Sequence, residues 1–154
     1  MKLILNTVIL AVFLTILLSS AHAAKIPDPD KWFKKEYAKL WSKTPWKKRD
    51  EILSHYVENF TEHPADGFQR TYSRQDFIGD EMLTWKSQGW LSSNIAAFQS
   101  EQINDTTVMF RVMWRDDYKS GEMEISCGWY MADFNGEKWL FTQYADFECP
   151  ARKK

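Results

Sequence analysis

The sequence has few of the residues from which common metal sites and nucleophilic enzyme sites are built. Its 154 residues include two cysteines and three histidines, and neither a CxxC pair nor HExxH spacing occurs. Serine nucleophile motifs and glycine-rich phosphate loops are also absent from the sequence. The formal net charge is −1, whereas proteins that bind nucleic acids normally have a basic surface. We therefore expect no metal site, no cofactor and no nucleic-acid partner.

The first residues have the pattern of a signal peptide. One lysine precedes an apolar run over residues 3–18, which is too short for a membrane span. The small residues of Ala21-His22-Ala23 fit a signal peptidase site, so cleavage after Ala23 is favoured over cleavage after Ala24. We expect a periplasmic or secreted protein whose mature chain, residues 24–154, is a single domain without a transmembrane segment.

Charge is distributed unevenly along the mature chain. Residues 24–49 contain nine Lys/Arg and three Asp/Glu (+6), whereas residues 50–154 contain ten and eighteen (−8). The basic segment, KWFKKEYAKLWSKTPWKKR, alternates lysines with aromatic residues and has two interpretations. It could lie on an anionic membrane surface, or it could be an amphipathic helix with its aromatic face on the core and its lysines in water. The second is favoured, because the apolar residues fit a core-facing stripe.

The spacing of apolar residues predicts three helices in the first half of the mature chain. Each begins at a recognisable cap: Asp28 or Asp30 for the first, Thr44-Pro45 for the second, and the Ser73-Arg-Gln-Asp76 capping box for the third. A short extended piece, FQRTY, precedes the third helix, which Gly89 ends. The predicted helices cover residues 29–43, about 45–62, and 73–88.

From Ser92 onward the apolar period changes from helical to two, which predicts strands. Helices followed by an antiparallel sheet are typical of the α+β class. The four predicted strands cover residues 93–103, 106–116, 122–133 and 138–148.

The last hairpin turns at Asn135-Gly136, and its register decides which side chains share a face. A two-residue turn sets Met131 opposite Leu140. A three-residue turn, with Gly136 in a left-handed bulge position, sets Met131 opposite Trp139. The second register fits the apolar pattern better and is the one we predict.

This register divides the sheet into two faces. The apolar face should meet the helices and contains Val108, Phe110, Val112, Trp114, Met123, Ile125, Cys127, Trp129, Met131, Trp139, Phe141, Gln143, Ala145 and Phe147. The other face mixes apolar and polar residues like a protein–protein interface, so we expect a homodimer through the sheet. The alternative is an amphipathic face exposed to solvent. The interface residues would be Met109, Arg111, Met113, Tyr130, Thr142 and Tyr144.

This layout resembles the nuclear transport factor 2-like superfamily, which includes SnoaL-like proteins and ketosteroid isomerases. The resemblance rests on the helical N-terminal half, the Ala65-Asp66-Gly67 break, the SRQDFIGDEMLTW helix, and the closing patterns TVMFRVMW and ISCGWYMADFNGEKWLF. It implies a cystatin-like cone with three N-terminal helices packed on a curved antiparallel sheet of about four long strands. In the superfamily, the cone encloses a pocket for small, often apolar molecules, and dimers commonly form through the sheet.

The resemblance leaves two functions open. Members include isomerases, dehydratases and hydrolases as well as non-enzymatic interaction modules, so the fold does not decide the function. No residue here matches the catalytic set of the ketosteroid isomerases. We expect a protein that binds a small apolar or aromatic molecule in its cone, with acid–base chemistry as an extension. The alternative is an interaction or dimerisation module whose interior is filled by its many aromatic residues.

Glu81 is the candidate catalytic residue. It falls at the centre of the apolar stripe of the third helix, where a carboxylate would lose solvation and could act as a general acid or base. The alternative is a buried structural pair with Arg49. The pocket wall would be formed by Tyr56, Trp85, Gln99, Trp114, Cys127, Trp129 and Gln143.

Two cysteines in an exported protein suggest a disulfide, but the predicted register opposes it. Cys127 would face Gln143, and Cys149 would lie about six residues farther along the strand, roughly 20 Å away. Only a C-terminal tail that folds back could close the bond, so a buried, inert thiol is favoured at Cys127. His55 and His63 are both predicted at the surface.

Overall fold

The computed structural model describes residues 25–64 and 67–150. The predicted signal peptide lies outside the described residues, as do Ala65 and Asp66 of the predicted break. Among the helices that the structure describes, none has the length and apolar character needed to cross a bilayer.

Three helices come from the first half of the chain. Asp28 caps the first helix, because its side chain accepts a hydrogen bond from the Lys31 amide at 3.0 Å. Ser73 opens the third by accepting a bond from the Asp76 amide at 3.1 Å, as the capping box predicts. The helices are α1 (29–41, comprising Pro29–Trp32, the π-helical Phe33–Tyr37 and Ala38–Trp41), α2 (the 3₁₀ turn Pro45–Lys48 with Arg49–Leu53), and α3 (the π-helical Gln75–Asp80 with Glu81–Ser87).

The helices pack on a six-stranded sheet with the order β2-β1-β6-β5-β4-β3. Strand β1 runs parallel to β6, and all other neighbours are antiparallel. The predicted α+β class and the four long strands are confirmed. The strands are β1 (Tyr56–Glu62), β2 (Arg70–Ser73), β3 (Trp90–Asn104), β4 (Thr107–Tyr118), β5 (Met123–Phe134) and β6 (Trp139–Asp146).

The second predicted helix is too long, because its last third is strand β1. Tyr56 and Phe60 are fully buried, and a spacing of four residues places both on one face in a helix and in a strand alike. The segment that follows Tyr56, VENFTE, includes β-branched and aromatic side chains that favour an extended chain. Pairing with both β2 and β6 then provides hydrogen-bond partners for the backbone N–H and C=O groups of the strand.

The aromatic face of α1 fills the space against the sheet. Phe33 and Tyr37 are at most 1% exposed, and their rings lie 4.7 Å from Phe110 and 4.6 Å from Phe141, respectively. Burying one such side chain contributes about 1.5–3 kcal/mol. The lysines of α1 are exposed. The structure therefore favours a core-facing stripe for this segment.

The last hairpin has neither of the two turns considered from the sequence. Its connection has four residues, because Phe134 pairs with Trp139. The Asn135 side chain closes the loop by accepting bonds from the Glu137 and Lys138 amides at 3.0 and 2.9 Å. The predicted register and the alternative to it are therefore both wrong.

A bulge in β6 then moves half of the hairpin to a new register. Ala132 pairs with Phe141, but Met131 pairs with Gln143, which leaves Thr142 as the extra residue. Trp139 and Phe141 before the bulge face the helices, as predicted. After it, Tyr144 faces the helices and Gln143 faces away.

The predicted face of β5 is also wrong, because the four-residue connection pairs Phe134, rather than Met131, with Trp139. Tyr130 and Ala132 are buried beneath the helices and pair with Phe110 and Val108 of β4. Trp129 and Met131, between them, lie on the opposite face of the sheet. We call the helix-covered side the inner face and the other side the outer face.

The register also permits the disulfide that the sequence argument disfavoured. The Phe147 amide donates to the Cys127 carbonyl at 3.1 Å, so Cys149 lies only two residues beyond the partner of Cys127. The two Cα atoms are 5.3 Å apart and the sulfurs are bonded. The tail therefore folds back along β5, and the predicted free thiol is wrong.

The disulfide should stabilise the fold by about 3 kcal/mol, the value expected for closing a loop of roughly twenty residues. Urea unfolding of the oxidised and dithiothreitol-treated protein measures the difference. The double variant Cys127→Ser/Cys149→Ser is the control and should unfold at one midpoint with or without reductant. Equal midpoints for the oxidised and reduced wild-type protein would contradict the assignment.

Candidate functional site

A cavity of about 580 Å³ lies between the inner face of the sheet, α1 and α3. Its lining comes from all of the strands and from both of these helices. The lining residues are Tyr37, Trp41, Tyr56, Glu62, Arg70, Tyr72, Asp76, Phe77, Ile78, Glu81, Trp85, Trp90, Ser93, Trp114, Asp116, Tyr118, Glu124, Ser126, Cys127, Gly128, Tyr130, Tyr144 and Asp146.

Four tryptophans form one wall of this cavity, and we call them the tryptophan wall. Trp41 is its centre, with ring centroids 6.4 Å from Trp85, 5.9 Å from Trp90 and 6.4 Å from Trp114. Trp85 and Trp90 are also in contact at 5.6 Å. Trp41, Trp90 and Trp114 are buried, so their rings are held by the core as well as exposed to the cavity.

The indole N–H groups of this wall differ in their partners. Trp114 donates to the Tyr130 hydroxyl at 3.0 Å, and Trp90 donates to the Ser93 hydroxyl at 3.2 Å. The Trp41 N–H is buried and forms no hydrogen bond of regular geometry in the described part of the chain, but it lies next to the Tyr37 hydroxyl.

Tyrosines 37, 56, 130 and 144 form the floor of the cavity, and we call them the tyrosine floor. Tyr37 and Tyr56 share a hydrogen bond between their hydroxyls. The Tyr130 and Tyr144 rings lie 5.0 Å apart, and the Tyr144 hydroxyl donates to Asp146. Gly128 makes room for this arrangement, because a Cβ there would approach the Tyr144 ring to 2.7 Å.

Burial raises the pKa of all four of these tyrosines well above its usual value. Neighbouring hydroxyls and the Asp146 carboxylate raise the pKa of Tyr144 further. The floor therefore presents neutral phenols, and the Tyr130 hydroxyl, which accepts a bond from Trp114, can donate its proton to an oxygen or nitrogen atom of an occupant.

The polar residues of the cavity are mostly acidic. Among its lining residues, Arg70 is the one cation, compared with six carboxylates: Glu62, Asp76, Glu81, Asp116, Glu124 and Asp146. Asp116 is half-buried beside the tryptophan wall and accepts bonds from the hydroxyls of Ser93 and Ser126, the latter at 2.7 Å. It pairs directly across the strands with Glu124, to which Tyr118 donates a bond of 2.9 Å.

Some of the sequence-predicted site residues line the cavity and others do not. Tyr56, Trp85, Trp114 and Cys127 line it. The other three lie on the outer face: Gln99 and Trp129 both pair with Arg111 of β4, and the β6 bulge moves Gln143 there. Their predicted place in the pocket wall is wrong.

Glu81 lines the mouth of the cavity, but its side chain is exposed rather than buried in the apolar interior. The π-helical turn before it shifts the helical phase, so the apolar stripe does not carry Glu81 inward. Arg49 does not pair with it either. That guanidinium donates to the Gly79 carbonyl at 3.0 Å and to Asp80 at 3.3 Å.

The outer face contains part of the predicted dimer interface. Met109, Arg111 and Met113 lie there, as does Thr142, which bonds to Asp133 at 3.0 Å. Tyr130 and Tyr144, also assigned to that interface, instead belong to the tyrosine floor. The half-buried Trp129, Met131 and His63 take their place on the outer face.

Neither histidine is a simple surface residue. His55 packs 5.6 Å from both Trp32 and Tyr37, and burial together with Lys138 lowers its pKa to about 4. His63 bonds to the Gln143 side chain at 2.9 Å and packs 5.5 Å from Trp129 on the outer face.

Tyr37, Tyr130, Tyr144 and Asp116 line the cavity but were not predicted there from the sequence. Tyr130 could not be found without the four-residue hairpin connection, and Tyr144 could not be found without the β6 bulge, which has no marker such as glycine at Thr142. Asp116 carried a signal that was available: it follows Val108, Phe110, Val112 and Trp114 at a period of two and extends the same face.

No protein-family model matches this chain, and no curated protein matches its sequence. Solved structures do match its fold. An NTF2-like protein with a cystatin-like fold from Novosphingobium aromaticivorans superposes with a TM-score of 0.57 at 11% identity, covering 92% of this chain and 90% of that chain. A domain of unknown function with a cystatin-like fold from Nostoc punctiforme gives 0.56 at 11%, covering 80% and 76%.

A third match is a hypothetical protein with a ketosteroid isomerase-like fold from Catenulispora acidiphila, crystallised in complex with trimethylamine. It gives a TM-score of 0.50 at 13% identity, covering 79% of this chain and 87% of that chain. These matches confirm the fold predicted from the sequence. The chain has the cystatin-like α+β fold of nuclear transport factor 2-like proteins.

Proposed function

We propose that the protein binds a small apolar or aromatic molecule in the cavity of its cone. The cavity itself is the observation that carries this proposal. Its volume of about 580 Å³ falls within the range of roughly 300–1,000 Å³ that is typical of ligand pockets. An interaction module with a filled interior would not need to keep such a space open beside buried aromatic side chains.

The polar groups of the cavity suit acid–base chemistry as an extension of binding. In the tyrosine floor, the Tyr130 hydroxyl supplies a neutral donor to an oxygen atom of the ligand, which can stabilise charge that develops there. Glu81 is the candidate base at the mouth, where its carboxylate is exposed to solvent. The variant Glu81→Gln keeps the shape of the side chain and separates this role from binding.

Two further observations support ligand binding and an exported location. The neighbour crystallised with trimethylamine indicates that a fold of this kind can bind a small organic molecule. The Cys127–Cys149 disulfide is typical of an oxidising compartment, which agrees with a signal peptide cleaved after Ala23 and a periplasmic or secreted mature domain over residues 24–154.

A second proposed role is dimerisation through the outer face of the sheet. Three methionines and a tryptophan there are half-buried, and Arg111, beside Met109 and Met113, is exposed. Met, Trp and Arg are enriched in protein interfaces relative to the rest of the surface. A dimer would cover these residues without blocking the cavity, because the cavity opens on the inner side.

Binding can be measured with N-phenyl-1-naphthylamine, a neutral apolar dye whose fluorescence rises in a dry site. The dye should bind the wild-type protein, and Ser126→Phe should lower its affinity by about tenfold or more by filling the cavity mouth. Arg115→Phe places the same ring on the outer face and is the matched control. Unchanged affinity in Ser126→Phe, or no binding to the folded wild-type protein, would contradict the proposal.

Tyrosine ionisation tests whether the floor presents neutral phenols. Burial raises the pKa of the four floor tyrosines well above pH 11, and it raises the pKa of Tyr118 to about 12. At pH 11 the native protein should therefore show roughly a third or less of the phenolate absorbance of the unfolded protein. Full phenolate absorbance at pH 11, while the circular dichroism is still native, would show that the floor is solvated.

Sedimentation equilibrium tests the dimer. Met113→Arg places a charge in the outer face and should raise the dimer dissociation constant by about tenfold or more. Leu83→Arg changes an exposed apolar residue of α3 in the same way and should leave the dimer intact. A monomeric wild-type protein, or an equal effect of both variants, would count against this interface.

A further inference from the structure

We propose that the molecule bound in the cavity is an organic cation: a protonated amine or quaternary ammonium group on an apolar or aromatic body. The geometry points to the space between the tryptophan wall and Asp116 as the seat of the cationic head. The inference rests on the proposed binding function and adds the charge of the ligand to it.

The tryptophan wall provides the apolar part of such a seat. Indole rings attract cations to their faces more strongly than other aromatic side chains do, and cages of aromatic rings are a recurrent way to bind methylated ammonium groups. Here Trp41, Trp85, Trp90 and Trp114 contact one another and line a single cavity. Among the described cation–aromatic contacts, none involves these four rings, so no lysine or arginine occupies them.

Asp116 provides the opposite charge at the edge of the same wall. The Ser93 hydroxyl that binds it also accepts the bond from the Trp90 indole, so the carboxylate is tied directly to the wall. Its two hydrogen-bond donors, Ser93 and Ser126, are neutral. In the described part of the chain no lysine, arginine or histidine forms an ion pair with Asp116.

The position of Glu124 makes this arrangement unfavourable in the absence of a cation. Asp116 and Glu124 are directly opposite each other in the β4–β5 register, and like charges in such a pair are destabilising. A ligand cation between the tryptophan wall and these carboxylates would attract both of them and offset their mutual repulsion. Asp146, which also lines the cavity, adds to the same negative field.

A phenol of the tyrosine floor can bind the body of the same ligand. The Tyr130 hydroxyl lines the cavity and accepts a bond from the Trp114 indole at 3.0 Å, which leaves its own proton for an acceptor atom on the ligand. Carboxylates therefore select the cationic head, and this phenol selects an acceptor on the body.

Charge can be tested with two ligands of nearly equal shape. Phenyltrimethylammonium and tert-butylbenzene differ in a nitrogen-for-carbon exchange, so a difference in their affinities reports the charge. Both are titrated into the oxidised mature protein, in competition with N-phenyl-1-naphthylamine. We expect the cation to bind at least about tenfold more tightly than the neutral isostere at low salt.

Asp116→Asn tests the seat of the charge. It preserves the size of the side chain and should lower the affinity for phenyltrimethylammonium by about tenfold, while the affinity for tert-butylbenzene changes by less than about twofold. Asp117→Asn is the matched control, because the neighbouring side chain lies on the outer face and outside the cavity lining. The comparison of the two ligands on the wild-type protein stands even if a variant fails to fold.

The outcomes separate this inference from the proposed function. Equal or tighter binding of tert-butylbenzene would overturn the cationic ligand and leave the apolar site standing. A preference for the cation that Asp117→Asn abolishes as strongly as Asp116→Asn would overturn the seat at Asp116. Failure of both ligands and of the dye to bind would overturn the cavity function and the inference together.

Discussion

The β5–β6 register is the constraint on which the rest of the structure depends. One extra residue at Thr142 changes the face on which every later side chain of β6 lies. Without it, Tyr144 would point away from the helices, and Asp146 would not line the cavity. The same register brings Cys149 beside Cys127, so the disulfide and the cavity floor have one structural cause.

The cavity persists because polar side chains interrupt the aromatic core at one end of the cone. Trp32, Phe33 and Phe141 pack tightly between α1 and the sheet. Toward α3 and the far ends of β4 and β5, hydroxyl and carboxylate groups lie beside the tryptophan wall, and these polar groups require solvent or a ligand. The aromatic residues are numerous enough to fill a small cone. Here they form the tyrosine floor and the tryptophan wall around an open space.

The sequence predicted the features that depend on local patterns. The cap at Asp28, the Ser73 capping box and the four long strands each have a signal within a few residues. It could not predict the features that depend on pairing between distant segments. Strand β1 shares the four-residue spacing of a helix, and its conformation is decided by β2 and β6 rather than by its own residues.

The candidate site shows the same limit. Trp85, Trp114 and Tyr56 could be placed from apolar periodicity, because their own elements were correctly oriented. Trp129 was misplaced by the wrong hairpin connection and Gln143 by the undetected bulge, since a shift of one residue exchanges the two faces of a strand. Glu81 was correctly expected to border the cavity, but its side chain is exposed rather than buried. The π-helical turn before it changes the direction in which the side chain leaves the helix.

The central claim is that an acidic, aromatic-walled cavity on the inner face holds a small organic cation. A crystal structure of the oxidised mature protein soaked with phenyltrimethylammonium tests it most directly. We expect electron density for the ammonium group between the tryptophan wall and Asp116, with Tyr130 and Tyr144 on the inner face. A cavity closed by collapsed tryptophans, or a hairpin with Trp129 in place of Tyr130 on the inner face, would contradict it.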